Sequence, residues 1–254
     1  MTQHSALSPQ RSILAVIMAR AGSVGLPNKA LRPLLGKPVI EYTFDHARQS
    51  AFITRTVVSS DSPEILALAK SRGFETLHRP PELATATSAT DPVLRHAVRS
   101  LHPQMNDEQS TMKNHLTVML YANIPLRQNQ MIDRAIQLLL DSNADSVQTI
   151  APVGKFHPYW MFDYSRESGG QIKKHIPNTV FRRQDLPPLF APTGAVYVMK
   201  TSVLMAAEKS PADPHAFLGA DRRGLLTGPE DSVDIDTEKD LYLAEAMLRS
   251  RGHS

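Results

Sequence analysis

The sequence predicts an α/β protein: a mostly parallel sheet flanked by helices, with an inserted arm. Three observations carry this fold class. Short apolar runs rich in β-branched residues alternate with helical patterns along the chain, the order that parallel strands and crossover helices produce. The first run, Ile13–Met18 (ILAVIM), is bounded by glycine and proline and so reads as a buried strand rather than a helix. It opens into ARAGSVGLPNK (Ala19–Lys29), a loop that brings backbone N–H groups, Arg20 and Lys29 around one anionic group.

The remaining elements follow in order. Val39–Ser50 has a helical pattern entered through Pro38, and Arg55–Ser60 (RTVVSS) reads as a second strand. Ser62 and Pro63 supply an N-cap and a first-turn proline for a helix over Glu64–Arg72. A short strand near Phe74–Leu77 leads into the loop RPPELATATSAT, and Asp91–Leu101 is helical. His102–His115 reads as a polar surface loop, His115–Tyr121 as a buried strand, Asn129–Leu140 as a helix and Ser146–Ile150 as a fifth strand.

The pattern then breaks. Ala151–Phe190 is rich in Pro, Gly, His, aromatics and Arg, has no helical period, and is too long for an ordinary connection. It reads as an inserted arm, extended or β, serving the site or a partner subunit. Ala195–Lys200 returns as a strand, and Ser232–Asp236 is expected to be a short strand. Thr237-x-x-Asp240 caps a final helix over Leu241–Arg251. The organisation is therefore a flexible tail at 1–12 and one domain at 13–254, with the arm at about 152–190.

Composition narrows the function. A chain of 254 residues can bury a substantial core. Its longest apolar stretches fall well short of the roughly 20 residues that span a bilayer. MTQHSALSPQRS lacks the apolar core of a signal peptide. The chain has no cysteine, which excludes disulfides, thiolate catalysis and cysteine-ligated metals and is compatible with the cytoplasm. A formal charge of +3, without a Lys/Arg block, makes no case for nucleic acid.

Three segments carry chemistry. In the first loop, Gly22 and Gly25 permit positive φ and close approach to a ligand, Arg20 can fork onto phosphate oxygens, and Lys29 adds a mobile charge. It is neither a Walker loop nor a GxGxxG fingerprint, and a tight turn with two solvated cations fits it equally. In SVDIDTEKD, Asp234 and Asp236 would share one face of a strand. Two such carboxylates repel unless a cation joins them, and Mg²⁺ suits the place. The other reading has Asp236 capping the last helix while Asp234 meets an arginine. In the arm, FRRQDLPP sets Arg182, Arg183 and Asp185 beside prolines, and KFHPYW clusters His157, Tyr159 and Trp160. His157 has no second histidine at ligand spacing and reads as structural. Arg79, Asn123, Arg127 and Asp61 each follow a strand, where doubly wound sheets bind ligands. A serine hydrolase is excluded by the lack of a GxSxG elbow.

Taken in order, these segments resemble the acylneuraminate cytidylyltransferases, the CMP-sialic acid synthetases and their nonulosonate relatives. The matching pieces are ARAGSVGLPNK, LGKPVIEYT, VVSSD, HRPPELATATS, IPLR, HPYW, RRQDLPP, TGAVYV and SVDIDTEKDL, from about Ile13 to Leu248. The resemblance implies a Rossmann-like nucleotidyltransferase domain whose arm exchanges contacts across a homodimer. It implies that CTP and a nine-carbon 2-keto sugar acid become a CMP-sugar and pyrophosphate with Mg²⁺; charge pattern and apolar-run length, read separately, point to neither nucleic acid nor membrane as partner. It also implies residue roles. Arg20, Ala21, Gly22, Ser23 and Lys29 would hold the triphosphate and Arg79 would help place the cytidine. Arg20, Lys29 and Asp236 would be the catalytic groups, with Asp234 and Asp236 on the metal. Tyr121, Asn123, Arg183 and Tyr197 would bind the sugar, Arg183 through its carboxylate. The chain departs from the family pattern at Val24, where a lysine is usual, and at Tyr121, where a glutamine is. Transfer to another sugar or from another base, or nucleotide binding without turnover, are the alternative readings.

Overall fold

The computed structural model describes residues 12–22, 25–85, 87–102, 112, 114–127, 130–210 and 212–252. Outside them lie Ser23, Val24, all of the expected tail but Ser12, most of the 102–115 loop, and Asn129, the expected first residue of a helix.

Strand β1 (Ile13–Met18) is buried along its whole length. A small hairpin of β2 (Pro33–Leu34) and β3 (Lys37–Pro38) follows, turned by Leu35 and Gly36 at positive φ, and delivers the chain to α1 (Val39–Gln49). Next come β4 (Arg55–Ser60), α2 (Pro63–Ser71), β5 (Glu75–His78), α3 (Thr90–Leu101) and β6 (Leu116–Tyr121). Helix α4 (Met131–Ser142) leads to β7 (Ser146–Pro152). The arm carries a hairpin, β8 (Phe162–Ser165) with β9 (Gln171–Lys174). The chain re-enters through β10 (Phe190–Lys200), then α5 (Thr201–Ala206), β11 (Arg222–Leu226) and α6 (Glu238–Ser250). Capping follows the sequence: the Ser62 hydroxyl accepts from Ile65 N, and Thr237 and Asp240 form a reciprocal capping box.

The central sheet has the order β11-β7-β10-β6-β1-β4-β5, and only β10 runs antiparallel to its neighbours. One face packs on α1, α2 and α4, the other on α3 and α5. A third cluster ties Leu26, Leu34 and Val39 to Leu241, Ala244 and Leu248 of α6. No helix among the described residues is long and apolar enough to cross a membrane.

Three expectations need correction. Ser232–Asp236 forms no strand; Val233 and Ile235 are buried in alternation, but among the described residues the segment has a single backbone bond to the sheet end, Ile235 N to Asn123 O at 3.0 Å. Packing satisfies that alternation without a ladder. The strand that does form, β11, lies in a stretch without a visible pattern, because Arg222, Arg223 and Gly224 head it and only Leu225 is buried. Finally, β10 begins at Phe190 rather than Ala195. Its first residues pair with Ala151 and Pro152 to form the base of the arm, and the register shifts between Pro192 and Tyr197.

Candidate active site

Strands β1, β4 and β5 lie to one side of the sheet and β6 to the other, so the strand order reverses between β1 and β6. Doubly wound sheets bind ligands at such a point, outside the carboxyl ends of the strands. A crevice of about 240 Å³ opens there, lined by Arg20, Lys29, Arg79, Thr85, Ser88, Tyr121, Asn123 and Asp234 among others.

The first loop is pinned on both sides. Ala19 N donates to Ser59 O at 3.1 Å, Ala21 N to the Asp61 carboxylate at 2.9 Å, and Arg20 Nη1 to Thr85 O at 3.3 Å. Neither Gly22 nor Gly25 has positive φ, contrary to expectation; Asn28 does, at 52°. Gly25 is needed for space instead, since a Cβ there would stand 2.5 Å from the backbone oxygen of Asp236. That close approach sets Lys29 Nζ against Asp236 Oδ1 at 2.5 Å.

Asp234 and Asp236 alternate with the buried Val233 and Ile235 and so face outward together. Asn123 clamps this segment, donating to the Asp234 carboxylate and, at 3.1 Å, to Ile235 O. Asp234 is reached from the crevice, yet surrounding protein withdraws enough water that burial pushes its carboxyl up; Asp236 adds to the rise and Lys29 opposes it. Among the described residues no group of three or more His, Cys, Asp or Glu could cage a metal. Two neighbouring carboxylates that face outward together fit Mg²⁺, a hard cation that takes its other ligands from phosphate and water.

Arg79 forms part of the floor. It is buried, donates to Ser59 Oγ at 3.3 Å and Ser59 O at 2.8 Å, and is pushed down by burial against the pull of Asp61. Tyr121, Ser88 and Thr90 form a wall shared with a second cavity of about 540 Å³, whose far side holds Tyr197, Gln148 and Arg222. Burial raises the Tyr121 phenol to about 12, with Tyr197 and Asp234 adding to it, and raises Tyr197 as well.

The structure thus gathers Arg20, Lys29, Arg79, Tyr121, Asn123 and Asp234 at one crevice, with Asp236 at its mouth and Tyr197 in the adjoining cavity. Arg183 is apart from them. It sits on the arm, lines neither cavity, and its guanidinium has no partner among the described residues. Arg127 does not face the site either; it is buried behind it, donating to Ala195 O, Ile124 O and Tyr121 O. His157 is structural, bonded to Tyr159 N and Pro187 O. Sequence reasoning missed Thr85, Ser88 and Thr90, although the Thr/Ser run after β5 was the available signal.

A family profile described as cytidylyltransferase matches residues 14–217. The N-acylneuraminate cytidylyltransferase of Streptococcus agalactiae serotype III is 30% identical over 229 residues, covering 89% of this chain and 51% of the relative. The chain therefore spans about half the length of the first curated relatives it matches. CMP-N,N'-diacetyllegionaminic acid synthase of Legionella pneumophila is 32% identical over 238 residues, covering 93% of this chain and 96% of the relative. The solved structure of CMP:2-keto-3-deoxy-manno-octonic acid synthetase complexed with CTP shares the fold, with a TM-score of 0.68 at 18% identity, covering 94% of this chain and 99% of that one. The Rossmann-like α/β fold is thus shared with that solved structure, and the chain belongs to the cytidylyltransferase family.

Proposed function

We propose that the protein transfers the cytidylyl group of CTP to a nine-carbon 2-keto sugar acid, yielding a CMP-sugar and pyrophosphate. The observation that carries this is the shared wall of the two cavities. One is lined by Arg20, Lys29 and Arg79, the other by hydroxyl and amide groups alongside apolar side chains, and Tyr121, Ser88 and Thr90 stand between them. The names of the Streptococcus and Legionella relatives support the sugar-acid class.

In this reading the sugar's anomeric hydroxyl attacks the α-phosphorus of CTP, the bond to the bridging oxygen breaks, pyrophosphate leaves and the hydroxyl proton passes to solvent. Such transfer needs charge neutralisation and alignment more than a protein nucleophile. Arg20 and Lys29 hold the triphosphate, with Ala21 and Gly22 in the same loop; Ser23, which shares that role, lies outside the described residues. Asp234 and Asp236 would hold Mg²⁺, which would supply neutralisation of phosphate charge. Lys29 and Asp236 pair at 2.5 Å, so the cation that would meet the triphosphate and the carboxylate that would meet the ion stand side by side. Arg79 and its loop place the cytosine. Tyr121, Asn123 and Tyr197 orient the sugar. Arg183 contacts the sugar across a homodimer, a role its place on the arm supports. A cytoplasmic setting fits a chain without cysteine.

The test is pyrophosphate release from CTP, Mg²⁺ and a panel of 2-keto sugar acids, with release expected for at least one acid. CTP binding by calorimetry without release for any acid overturns the enzyme reading. Release from UTP or GTP but not CTP overturns the cytidine assignment.

A further inference from the structure

We infer that Arg222 anchors the carboxylate of the sugar acid within the second cavity of the same protomer. The inference rests on the proposed function and adds a residue to it.

Pairing places Arg222 on the right face. Tyr197 of β10 lies opposite Gln148 of β7, and Gln148 lies opposite Gly224 of β11. Residues two apart on a strand project from one face, so Arg222 emerges beside the side chains of Gln148 and Tyr197. Among the described residues it is the only Lys or Arg lining this cavity, and no Asp or Glu lines it.

The guanidinium is held in advance. Nε donates to Gly219 O at 2.7 Å and Nη2 to His215 O at 3.1 Å. The turn that supplies these carbonyls is itself fixed: Asp145 accepts from Ala220 N at 3.0 Å and Asp221 N at 3.1 Å. Gly219 has φ +73°, and a Cβ there would stand 2.4 Å from Asp145 Cβ. Asp221, the nearest acid in sequence, pairs with Arg223 at 3.0 Å. Arg222 therefore has no carboxylate partner among the described residues. Of the five N–H donors of a guanidinium two point to carbonyls, and the others remain for a ligand. A positioned fork without a carboxylate beside it, in a cavity that mixes hydroxyl and amide groups with the apolar Met119, Phe217 and Leu218, is matched by the one charged group a 2-keto sugar acid carries. Arg183 lies outside both cavities, so Arg222 is the cation already in place.

The experiment compares wild type, Arg222→Gln and Arg222→Lys on the 2-keto sugar acid that wild type turns over and on its methyl ester. For Arg222→Gln the KM for the acid is expected to rise roughly 10- to 100-fold, as for a lost charge-assisted hydrogen bond. The KM for the ester and the KM for CTP should each move by less than about threefold. Arg222→Lys, which keeps the charge but loses the fork, should fall between on the acid alone. An unchanged acid KM in Arg222→Gln overturns the inference and leaves the proposed function standing. Equal weakening of acid and ester in both variants also overturns it, because the residue then acts through the fold. Failure of wild type to turn over any acid overturns the proposed function, and this inference with it.

Discussion

Lys29 and Asp236 meet at 2.5 Å from 207 positions apart, yet Asp236 is 66% exposed. Exposed ion pairs contribute about 0–1 kcal/mol, so this contact does little for stability. Asp236→Ala is expected to leave the melting temperature nearly unchanged while lowering pyrophosphate release at least about 100-fold, the size of a lost transition-state contact near 3 kcal/mol. Turnover at the wild-type rate with Mg²⁺ would remove Asp236 from the site. The two loop glycines offer a sharper comparison. A Cβ at Gly25 meets the Asp236 backbone at 2.5 Å, whereas one at Gly22 meets nothing within 4 Å. Overpacking of that kind costs about 1–3 kcal/mol, or roughly 2–12 °C for a domain of this size. Thermal melts of Gly25→Ala should show that drop, with a raised KM for CTP because the loop and Asp236 must part. Gly22→Ala should melt with wild type, and equal behaviour of the two would refute the spatial account.

At the scale of elements, the segment that follows β6 owes its shape to Arg127. This buried guanidinium donates to Ala195 O at 2.8 Å, Ile124 O at 2.6 Å and Tyr121 O at 2.9 Å, joining β6 to β10 behind the site. Burial pulls its pKa down, and Asp234 pulls the other way. Arg127→Met removes the donor to Ala195 O and leaves Tyr121 O and Ile124 O to share the one Thr43 hydroxyl, at a cost of about 3 kcal/mol. Chemical denaturation should register that loss, and a variant as stable as wild type would show that water replaces the arginine freely. Acid sensitivity belongs to the opposite end of the sheet. His102 at the end of α3 and His115 before β6 have rings 5.9 Å apart, and burial lowers both from the ordinary value of 6.5. The unfolded chain therefore takes up protons first as pH falls below 6.5, so stability held above that value is lost toward the lower folded values. Melting temperature should fall between about pH 7.5 and 5.5, and a His102→Gln/His115→Gln variant should show a shallower fall. An identical slope in the variant would shift the acid sensitivity to other groups.

At the scale of the molecule, the arm projects apolar side chains into solvent: Phe156, Phe162, Tyr164, Ile172 and Phe181 are exposed, Phe181 by 83%. Exposed apolar surface of this kind is a common mark of an interaction site, and it supports the proposed homodimer. Light scattering is expected to give twice the chain mass for wild type and the chain mass for Phe162→Asp/Phe181→Asp. If Arg183 acts across that dimer, the monomer should keep its KM for CTP and raise its KM for the sugar acid at least roughly tenfold, a loss of about 1.4 kcal/mol. A wild-type monomer with full activity would remove the arm from the site.

What was legible in the chain is what a few neighbouring residues decide. The run Ile13–Met18 is apolar at every position because both faces of β1 are covered, and Ser62 and Thr237 cap their helices with their own side chains. The switch-point location of the site followed from the same alternation of strands and helices. The sequence by itself therefore determined the layers, most helix boundaries and the residue types available at the crevice. It misread β11 and Ser232–Asp236 because pairing with a distant strand, not periodicity, separates a ladder from an extended segment. Only the tertiary structure decided that Gly25 makes room for Asp236, that Arg127 turns away from the crevice, that Arg222 lines the second cavity and that Arg183 does not. These are contacts between parts of the chain brought together by sheet closure. Their geometry depends on how every intervening layer packs, which no local window of sequence contains.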